Sequence, residues 1–355
     1  MIHNRRRGIS SNVGKRITIK EIARIAEVSE AAVSIALNNK TGVSEETRDR
    51  IIGIARENGY NVNAARTKKG TNNIRFLACI GQGAVDQGFN YAPFFGAIIQ
   101  KLTVECNKLG YNLIISSVNL NNIRRELEII EKTLPSDGVI LLGTNLNMKQ
   151  TKQVATIQNK LVVIDNYFDT LPVDCVTMNN KMGGYQAADH LLKLGHQHIC
   201  YAQSKSLSNN LLKRKEAFFE HLQENGVTVE KEYFVESTIE LAVRDFLKIL
   251  NDDGVTATAF ACENDYLAIA LIKVLSESGY IVPEDVSVIG FDDIANAAIV
   301  SPELTTIHVY TDEISELALQ CLVAQMENQK RPSGNYFIDT SLIKRKSTRS
   351  AEKTC

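Results

Sequence analysis

The chain has 355 residues, of which 44% are hydrophobic and 23% are charged, and its formal net charge is −1. This composition is that of an ordinary globular protein, and the length suffices for two or three domains with a sizeable core. No run of residues approaches the roughly 20 apolar positions that a membrane helix needs, which argues against a membrane-spanning protein.

Residues 1–16 contain an RRR cluster with no apolar stretch behind it, so the pattern is not that of a signal peptide. We expect a disordered basic arm here. The seven cysteines of the chain are odd in number, scattered and without a CxxC pair. Their pattern argues against a disulfide framework or a zinc site and indicates a reducing, cytoplasmic location.

Residues 17–63 predict a group of three helices. Thr18 stands three residues before Glu21, a capping-box pair that would start the first helix. Ile22, Ile25 and Ala26 then recur at helical spacing and predict a buried stripe along that helix.

The second and third helices are predicted to start at Ser29 and Ser44, whose hydroxyls can cap free backbone N–H groups. Asn58-Gly59 is the predicted stop of the third helix. The residues expected to point inward are Val33, Ala36, Leu37, Ile51, Ile54 and Ala55. The residues expected to point outward from the second helix are Glu30, Ala31, Ser34, Ile35 and Asn38.

Two short helices across a tight turn, braced by a third, predict a helix-turn-helix whose second helix enters the major groove of DNA. The alternative is a small bundle that binds a protein or nothing. Residues 1–75 hold 15 Lys and Arg against 7 Asp and Glu, and the remaining residues hold 25 against 34. A basic head on an acidic body favours the nucleic-acid-binding interpretation.

Residues 64–73, AARTKKGTNN, predict a linker that folds as a short helix on DNA. Strand-like and helix-like segments alternate after it, which indicates βαβ units with parallel sheets. This series of strands and helices is long enough for two sheets, so we expect two α/β lobes, roughly 74–165 and 166–291, with crossovers after 291. Residues 346–355 are expected to form a flexible tail. Ligands of such sheets bind at the carboxyl ends of the strands.

Four sequence strings, TIKEIARIA, VSEAAVSIALN, VSEETRDRI and GYNVNA, resemble the DNA-binding head of the lactose-repressor (LacI/GalR) family of bacterial transcription regulators. The resemblance continues through the body, where VPEDVSVIGFDDI is the most recognisable string. It implies an all-α helix-turn-helix head and an α/β two-lobe periplasmic-binding-protein-like (type I) core at 74–345. It also implies a homodimer, no enzyme activity and no cofactor.

The resemblance implies a hinge helix in the linker that wedges a Leu into the minor groove and kinks the duplex. The linker here is about one residue short against the family pattern, and Thr67-Lys68 stand near the place of the Leu. The kinking step is therefore in doubt, although Arg66 is still expected to contact phosphate.

Contacts to double-stranded operator DNA are implied by matching positions in the head. Glu30, Ala31 and Ile35 are the expected base readers. Because Ile stands where the family commonly has Arg, we expect an A·T-leaning half-site. Polar groups that set the register on phosphates are expected at Thr18, Ser29, Ser34, Asn38, Ser44, Thr47, Tyr60 and Asn63.

The resemblance also implies a small-molecule effector in the cleft. Its expected contacts are an aromatic platform, two carboxylates, a guanidinium and an amide, at Phe94, Asp165, Arg214, Asn264 and Asp292. Asp265 is expected to cap the following helix, and Asp293 to hold its loop. This set suits a sugar or a sugar derivative, with a purine or nucleoside as the second choice.

Several alternatives are weaker. Gly81-Gln82-Gly83 follows a strand but is not a dinucleotide-binding motif, and His196 and His198 have HxH spacing without a third metal ligand. A solute-binding protein for transport would need export. An α/β enzyme would need a phosphate loop or a paired acid and base. The sequence therefore predicts an effector-controlled transcription regulator, a repressor in our interpretation.

Overall fold

A computed structural model describes residues 17–37, 42–58, 60, 70–81, 85, 92–206, 208–328 and 331–351. The chain forms two compact units, Met1–Thr71 and Asn72–Cys355. The predicted contacts Asn38, Asn63 and Arg66 lie outside the described residues, as does most of the predicted hinge.

The first unit contains three helices, α1 (Ile19–Ile25), α2 (Glu30–Leu37) and α3 (Glu45–Glu57). The predicted capping box is present, since the Thr18 hydroxyl accepts from the Glu21 amide and the Glu21 carboxylate accepts from the Thr18 amide. The Ser29 hydroxyl accepts from the Ala32 amide at the start of α2. The buried core of the unit consists of Ile22, Ala23, Ala26, Val33, Ala36, Leu37, Ile51 and Ala55.

The prediction that Ile25 is buried was wrong, because its side chain is 45% exposed. The helix turns by about 100° per residue, so Ile22, Ala26 and Ala23 lie at about 0°, 40° and 100° around its axis. Ile25 lies about 60° on the other side of Ile22 and falls outside this stripe. A small residue, Ala23, takes the buried place that the spacing assigned to Ile25.

The second unit alternates strands and helices in the following order: β1 (Asn73–Ile80), α4 (Pro93–Lys108), β2 (Asn112–Asn119), α5 (Ile123–Thr133), β3 (Gly138–Leu142), α6 (Met148–Ile157), β4 (Leu161–Ile164), β5 (Asp174–Met178), α7 (Asn180–Lys193), β6 (Ile199–Ser204), α8 (Asn209–Glu224), β7 (Val229–Val235), α9 (Ile239–Asp253), β8 (Ala259–Cys262), α10 (Asp265–Glu277), β9 (Ser287–Ile289), β10 (Thr306–His308), α11 (Thr311–Met326), β11 (Asn335–Ile338) and β12 (Ser341–Ile343).

Two parallel sheets organise these elements into two lobes, as predicted. Within the described residues, the first lobe has six strands in the order β11-β5-β4-β3-β1-β2, and the second has four in the order β7-β6-β8-β9. A short antiparallel pair, β10 and β12, accompanies them. Helix α11 packs on β3, β4 and β5, so the chain returns to the first lobe after completing the second sheet.

The predicted boundary between the lobes at residue 166 was wrong. Strand β5 pairs with β4, so the first crossing follows Met178. Sequence DCVTM holds only three apolar residues, and its Asp174 is buried because Arg331 and Gln325, more than 150 positions away, bind the carboxylate. That compensation cannot be seen in the local pattern.

The prediction of a flexible tail was also wrong for residues 346–351. Ser347 is fully buried, and its carbonyl and hydroxyl bond to the backbone of Val288 in β9. The Ala351 amide donates to the Leu194 carbonyl after α7. The end of the chain is therefore part of the second lobe. In the described part of the chain, no helix is both long and apolar enough to cross a membrane.

Candidate functional site

Two of the predicted effector contacts lie at the carboxyl ends of strands in different lobes. Asp165 directly follows β4, and Asp292 comes three residues after β9. Both have positive φ, 58° at Asp165 and 110° at Asp292. Left-handed backbone is unfavourable for most L-residues and is tolerated best by Asp, Asn and Gly. Each carboxylate thus stands at a sharp turn where its strand leaves the sheet.

A continuous chain of buried hydrogen bonds joins Asp165 to Arg214. The Asn210 amide donates to the Asp165 carboxylate at 2.6 Å and to its carbonyl at 2.8 Å. The Asn180 amide donates to Asn210 Oδ1 at 2.9 Å, and Arg214 Nε donates to Asn180 Oδ1 at 2.8 Å. Since Asp165 belongs to the first lobe and Asn210 and Arg214 to α8, this network connects the two lobes.

Arg214 is the centre of the network. Its guanidinium lies 3.7 Å from the centroid of the Phe291 ring, and its Nη1 donates to the Glu263 carbonyl at 2.8 Å. Its Nη2 lies 3.2 Å from Asp292 Oδ1, within ion-pair distance. In the part of the chain that the structure describes, no N–H is aligned with that oxygen well enough for a hydrogen bond, and Oδ1 is buried. All three nitrogens of the guanidinium therefore face protein groups.

The carboxyl groups around Arg214 hold their protons unusually tightly. Burial raises the pKa of Asp165 to about 6, against the opposing effects of the Thr144 hydroxyl and the Arg214 charge. Burial raises the pKa of Asp292 to about 7 and that of Glu263 to about 7, with Arg214 opposing the rise at both. Each group thus changes charge within or close to the neutral range.

Helix packing sets the position of Arg214. A Cβ added at Gly184 in α7 would lie 2.2 Å from the Arg214 carbonyl oxygen, so α7 and α8 approach more closely than any side chain at that position allows. This contact places Arg214 beside Asn180, the first residue of α7. The sequence showed the Arg but not the glycine that positions it.

The predicted cap of α10, Asp265, was wrong, because Asn264 caps this helix; the effector contact predicted for Asn264 stays a prediction. Asn264 is the N-cap of α10, with its Oδ1 accepting from the Leu267 amide at 3.0 Å. Asp265 is fully buried, and its carboxylate accepts from the Ile294 amide and the Thr306 hydroxyl. Asp265 thus braces the loop after β9. The Asn264 amide still lies beside Glu263, at 3.5 Å from Oε1.

Asp293 holds its loop, as predicted. Its carboxylate is bound by His308 Nδ1 at 2.8 Å and by Arg345 Nη2 at 2.6 Å. The predicted aromatic platform, Phe94, is the second residue of α4; it is 7% exposed, and its ring is edge-on to Phe95. The Phe94 amide donates to the Tyr266 hydroxyl of α10 at 3.2 Å, a second connection between the lobes.

Sequence reasoning missed Asn180, Asn210, Glu263 and Tyr266. Asn180 follows β5 almost directly, so the rule that sites follow strands would have found it had β5 been predicted. Glu263 directly follows β8 and is adjacent to the predicted contact Asn264. Asn210 and Tyr266 lie in the first turns of α8 and α10, for which the sequence carries no comparable signal.

The two histidines of the HxH pair bind protein groups. His196 bonds to the Thr258 hydroxyl at 2.9 Å and to the Arg349 carbonyl at 3.0 Å, and His198 pairs with Glu230. Among the described residues, no group of three or more His, Cys, Asp or Glu side chains is arranged to hold a metal ion.

The first unit presents its predicted DNA-contacting side chains at helix starts and on α2. Glu30 and Ala31 are exposed, whereas Ile35 is half-buried and packs towards Gly42. The hydroxyls of Thr18, Ser29 and Ser44 are exposed while they accept hydrogen bonds from the helix amides. Ser34, Thr47 and Tyr60 are half-buried. The order of elements is that of a helix-turn-helix.

A helix-turn-helix head joined to a two-lobe core with a polar network between the lobes defines a ligand-responsive transcription regulator. Residues 18–63 match the model of bacterial regulatory proteins of the lacI family, and residues 188–348 match the periplasmic binding protein-like domain. The chain belongs to the lacI family of bacterial regulatory proteins.

Relatives match the chain over most of its length. It is 29% identical over 341 residues to the HTH-type transcriptional repressor PurR of Aliivibrio fischeri, covering 93% of this chain and 98% of that protein. It is 29% identical over 325 residues to the ribose operon repressor of Haemophilus influenzae, covering 90% and 94%.

Solved structures show the same fold. The transcriptional regulator CelR in complex with cellobiose matches with a TM-score of 0.68 at 22% identity, covering 94% of this chain and all of that one. The lac repressor dimer bound to operator and the anti-inducer ONPF also matches with a TM-score of 0.68, at 21% identity and the same coverage.

Proposed function

We propose that this protein is a repressor that binds a near-palindromic operator as a homodimer and whose affinity for DNA is controlled by a small effector held between the two lobes. The observation that carries the proposal is the buried network from Asp165 through Asn210, Asn180 and Arg214, which joins the lobes at the carboxyl ends of their strands. We place its action in the cytoplasm.

DNA binding is supported by the head. Its second helix presents Glu30 and Ala31 to solvent, and its basic charge suits a phosphate backbone. A two-fold homodimer would place two such heads on two half-sites, and the solved lac repressor relative is a dimer on its operator.

Effector control is supported by the chemistry of the network. Carboxylates, amides and a guanidinium at strand ends supply both acceptors and donors to a polyhydroxylated ligand. Solved relatives of the same fold contain cellobiose and ribose. A ligand that binds one arrangement of the lobes better than another shifts the population towards it, and the linker can pass that shift to the heads.

The first experiment is a selection of random DNA duplexes on the full-length protein, followed by binding of the winner across a salt series. We expect a palindromic site whose affinity falls steeply as salt rises, because each phosphate contact releases counterions. Failure to enrich any sequence would contradict the proposal.

A matched pair of variants tests whether the head carries this binding. Ala31→Glu adds a negative charge to the exposed face of α2, and Gln223→Glu adds one to an exposed position of α8 in the second unit. We expect the first to weaken operator binding at least tenfold and the second to leave it within about twofold. Equal effects would place the DNA contacts elsewhere.

A further inference from the structure

The site between the lobes contains more acid than base. Three buried carboxyl groups, those of Asp165, Glu263 and Asp292, lie close enough to Arg214 for its charge to oppose the rise of their pKa. Asp165 and Asp292 also raise the pKa of their partners in the cluster, Asp165 that of Asp292 and Asp292 that of Glu263. The acidic groups are therefore neighbours of one another as well as of the guanidinium.

Arg214 is poorly placed to bind an anion. Its Nε and Nη1 donate to Asn180 and to the Glu263 backbone, and its Nη2 faces Asp292. The Phe291 ring covers one face of the guanidinium plane. A phosphate or carboxylate group is recognised best by two parallel N–H groups of one guanidinium. To gain them it would have to displace Asp292 from a buried ion pair, which leaves that carboxylate uncompensated.

One buried acceptor in the described part of the site lacks a hydrogen-bond donor. Asp292 Oδ1 is buried, and within the described residues it has the Arg214 ion pair at 3.2 Å but no well-aligned hydrogen-bond donor. A ligand hydroxyl or ammonium group supplies a donor for it, whereas a phosphate or a carboxylate brings a further acceptor and a like charge.

Above its pKa of about 7, Glu263 contributes negative charge from behind this surface. It is 3% exposed, and together with Arg214 and Phe291 it lines a cavity of about 10 Å³, about the room needed by one water molecule. The cavity is too small for a sugar, so the Glu263 side chain acts on a ligand through the electrostatic field of the site.

We propose that the site selects its effector by charge: it takes an uncharged or amine-bearing polyhydroxylated molecule and rejects its phosphorylated form, and Glu263 is a residue that sets this specificity. The proposal rests on the effector site of the proposed function and names the class of its ligand. It is independent of operator binding, so the duplex selection above and the ligand test below can fail separately.

The test is calorimetric titration of the full-length protein at pH 8, above the pKa of about 7 of Asp292 and Glu263, with matched sugars: glucose, galactose and ribose, the disaccharide cellobiose, and the amino and phosphorylated derivatives of each. We expect at least one sugar to bind, its amino form to bind within about tenfold of it, and its phosphate to bind at least tenfold more weakly. A phosphorylated sugar that binds as well as its parent would overturn the proposal. A series without binding would overturn it too, while leaving the operator result untouched.

Glu263→Gln then tests the residue, since it removes one charge at nearly constant volume. We expect the ratio between the affinities for the sugar and for its phosphate to fall about tenfold, with the sugar itself affected much less. Glu230→Gln, the same change at an exposed position of the second lobe, should leave that ratio within twofold.

Circular dichroism checks that the variants fold, and Asp165→Asn supplies a second removal of charge from the cluster. If Glu263→Gln folds and leaves the ratio unchanged, the role assigned to Glu263 is wrong. If neither charge-removing variant folds, the ratio measured on the natural chain alone decides the charge selection.

Discussion

Asp165 and Asp292 show how single residues are fitted to the site. Each is buried, each has positive φ, and each lies beyond the end of a strand in its own lobe. A buried carboxylate is costly unless it is paired or protonated. Asp165 accepts from the Asn210 amide and the Thr144 hydroxyl, whereas the partner of the Asp292 carboxylate among the described residues is Arg214. Burial raises the pKa of Asp292 to about 7.

The raised pKa of Asp292 predicts how stability depends on pH. Between its ordinary pKa near 4 and about 7, the folded protein retains a proton that the unfolded chain has lost, so the free energy of unfolding falls as pH rises through this window. Asp292→Asn removes this contribution, on the order of 1–4 kcal/mol. Urea unfolding at pH 5 and at pH 8 should show a smaller loss for the variant than for the natural chain; an equal loss would mean that Asp292 titrates normally.

Ile35 predicts the base preference of the head. An aliphatic side chain can touch a thymine methyl group but cannot form the two hydrogen bonds that Arg makes with guanine. We expect Ile35→Arg to shift the selected half-site towards guanine at one position, worth about 1–3 kcal/mol of discrimination.

The control for Ile35→Arg is Ile25→Arg, which adds the same charge at an exposed position of α1. It should strengthen binding to all duplexes without changing the selected sequence. A shift of base preference in both variants, or in neither, would remove Ile35 from the readout.

At the scale of elements, the contact between α7 and α8 matters most for the site. The carbonyl oxygen of Arg214 lies 2.2 Å from the place of a Cβ on residue 184, so a glycine is required for the two helices to meet. Asn180 at the start of α7 and Arg214 in α8 are bonded across this contact. The packing of α7 against α8 thus fixes the position of the Arg214 side chain.

Gly184→Ala is expected to push the helices apart. Overpacking of a close contact lowers the free energy of unfolding by about 1–3 kcal/mol. Because Arg214 is displaced, the free energy of effector binding should fall by more than the free energy of unfolding does. Gly53→Ala in α3 is the control, because nothing lies within 4 Å of its added Cβ. That change should stabilise the helix by roughly 0.5–1 kcal/mol. Thermal unfolding and effector titration of both variants decide whether the two glycines differ as described.

At the scale of the whole molecule, the two lobes of the second unit share one apolar core and are also joined by hydrogen bonds between polar groups. The Asn210–Asp165 bonds and the bond from the Phe94 amide to Tyr266 connect them at separate places. Net hydrogen bonds contribute about 0.5–1.5 kcal/mol each, which is comparable with the free-energy differences between alternative lobe arrangements. Removal of one of them should therefore shift the balance without unfolding the protein.

Tyr266→Phe removes the bond to the Phe94 amide and leaves the carboxylate network in place. We expect the affinity for the effector to fall about two- to tenfold, because the arrangement described here loses one interlobe contact. Tyr280→Phe, just beyond the far end of α10, should have no such effect. Calorimetric titration measures both. An unchanged affinity in Tyr266→Phe would show that this bond does not bias the lobes.

The sequence by itself determined the local features. The capping box at Thr18, the caps at Ser29 and Ser44, the buried faces of α2 and α3 and most of the alternating strands and helices follow from short-range periodicity and side-chain chemistry. Those signals depend on residues only a few positions apart, so the amino-acid sequence alone contains them in full.

Only the tertiary structure decided the features that depend on distant partners. Strand β5 is buried because Asp174 forms an ion pair with Arg331. Residues 346–351 are ordered because they bond to β9 and to the end of α7. Asn210, Asn180 and Glu263 surround Arg214 because helices and strands from separate βαβ units converge. Burial of a polar group is unfavourable unless a hydrogen-bonding or charged partner is buried beside it, and the fold determines which partner that is.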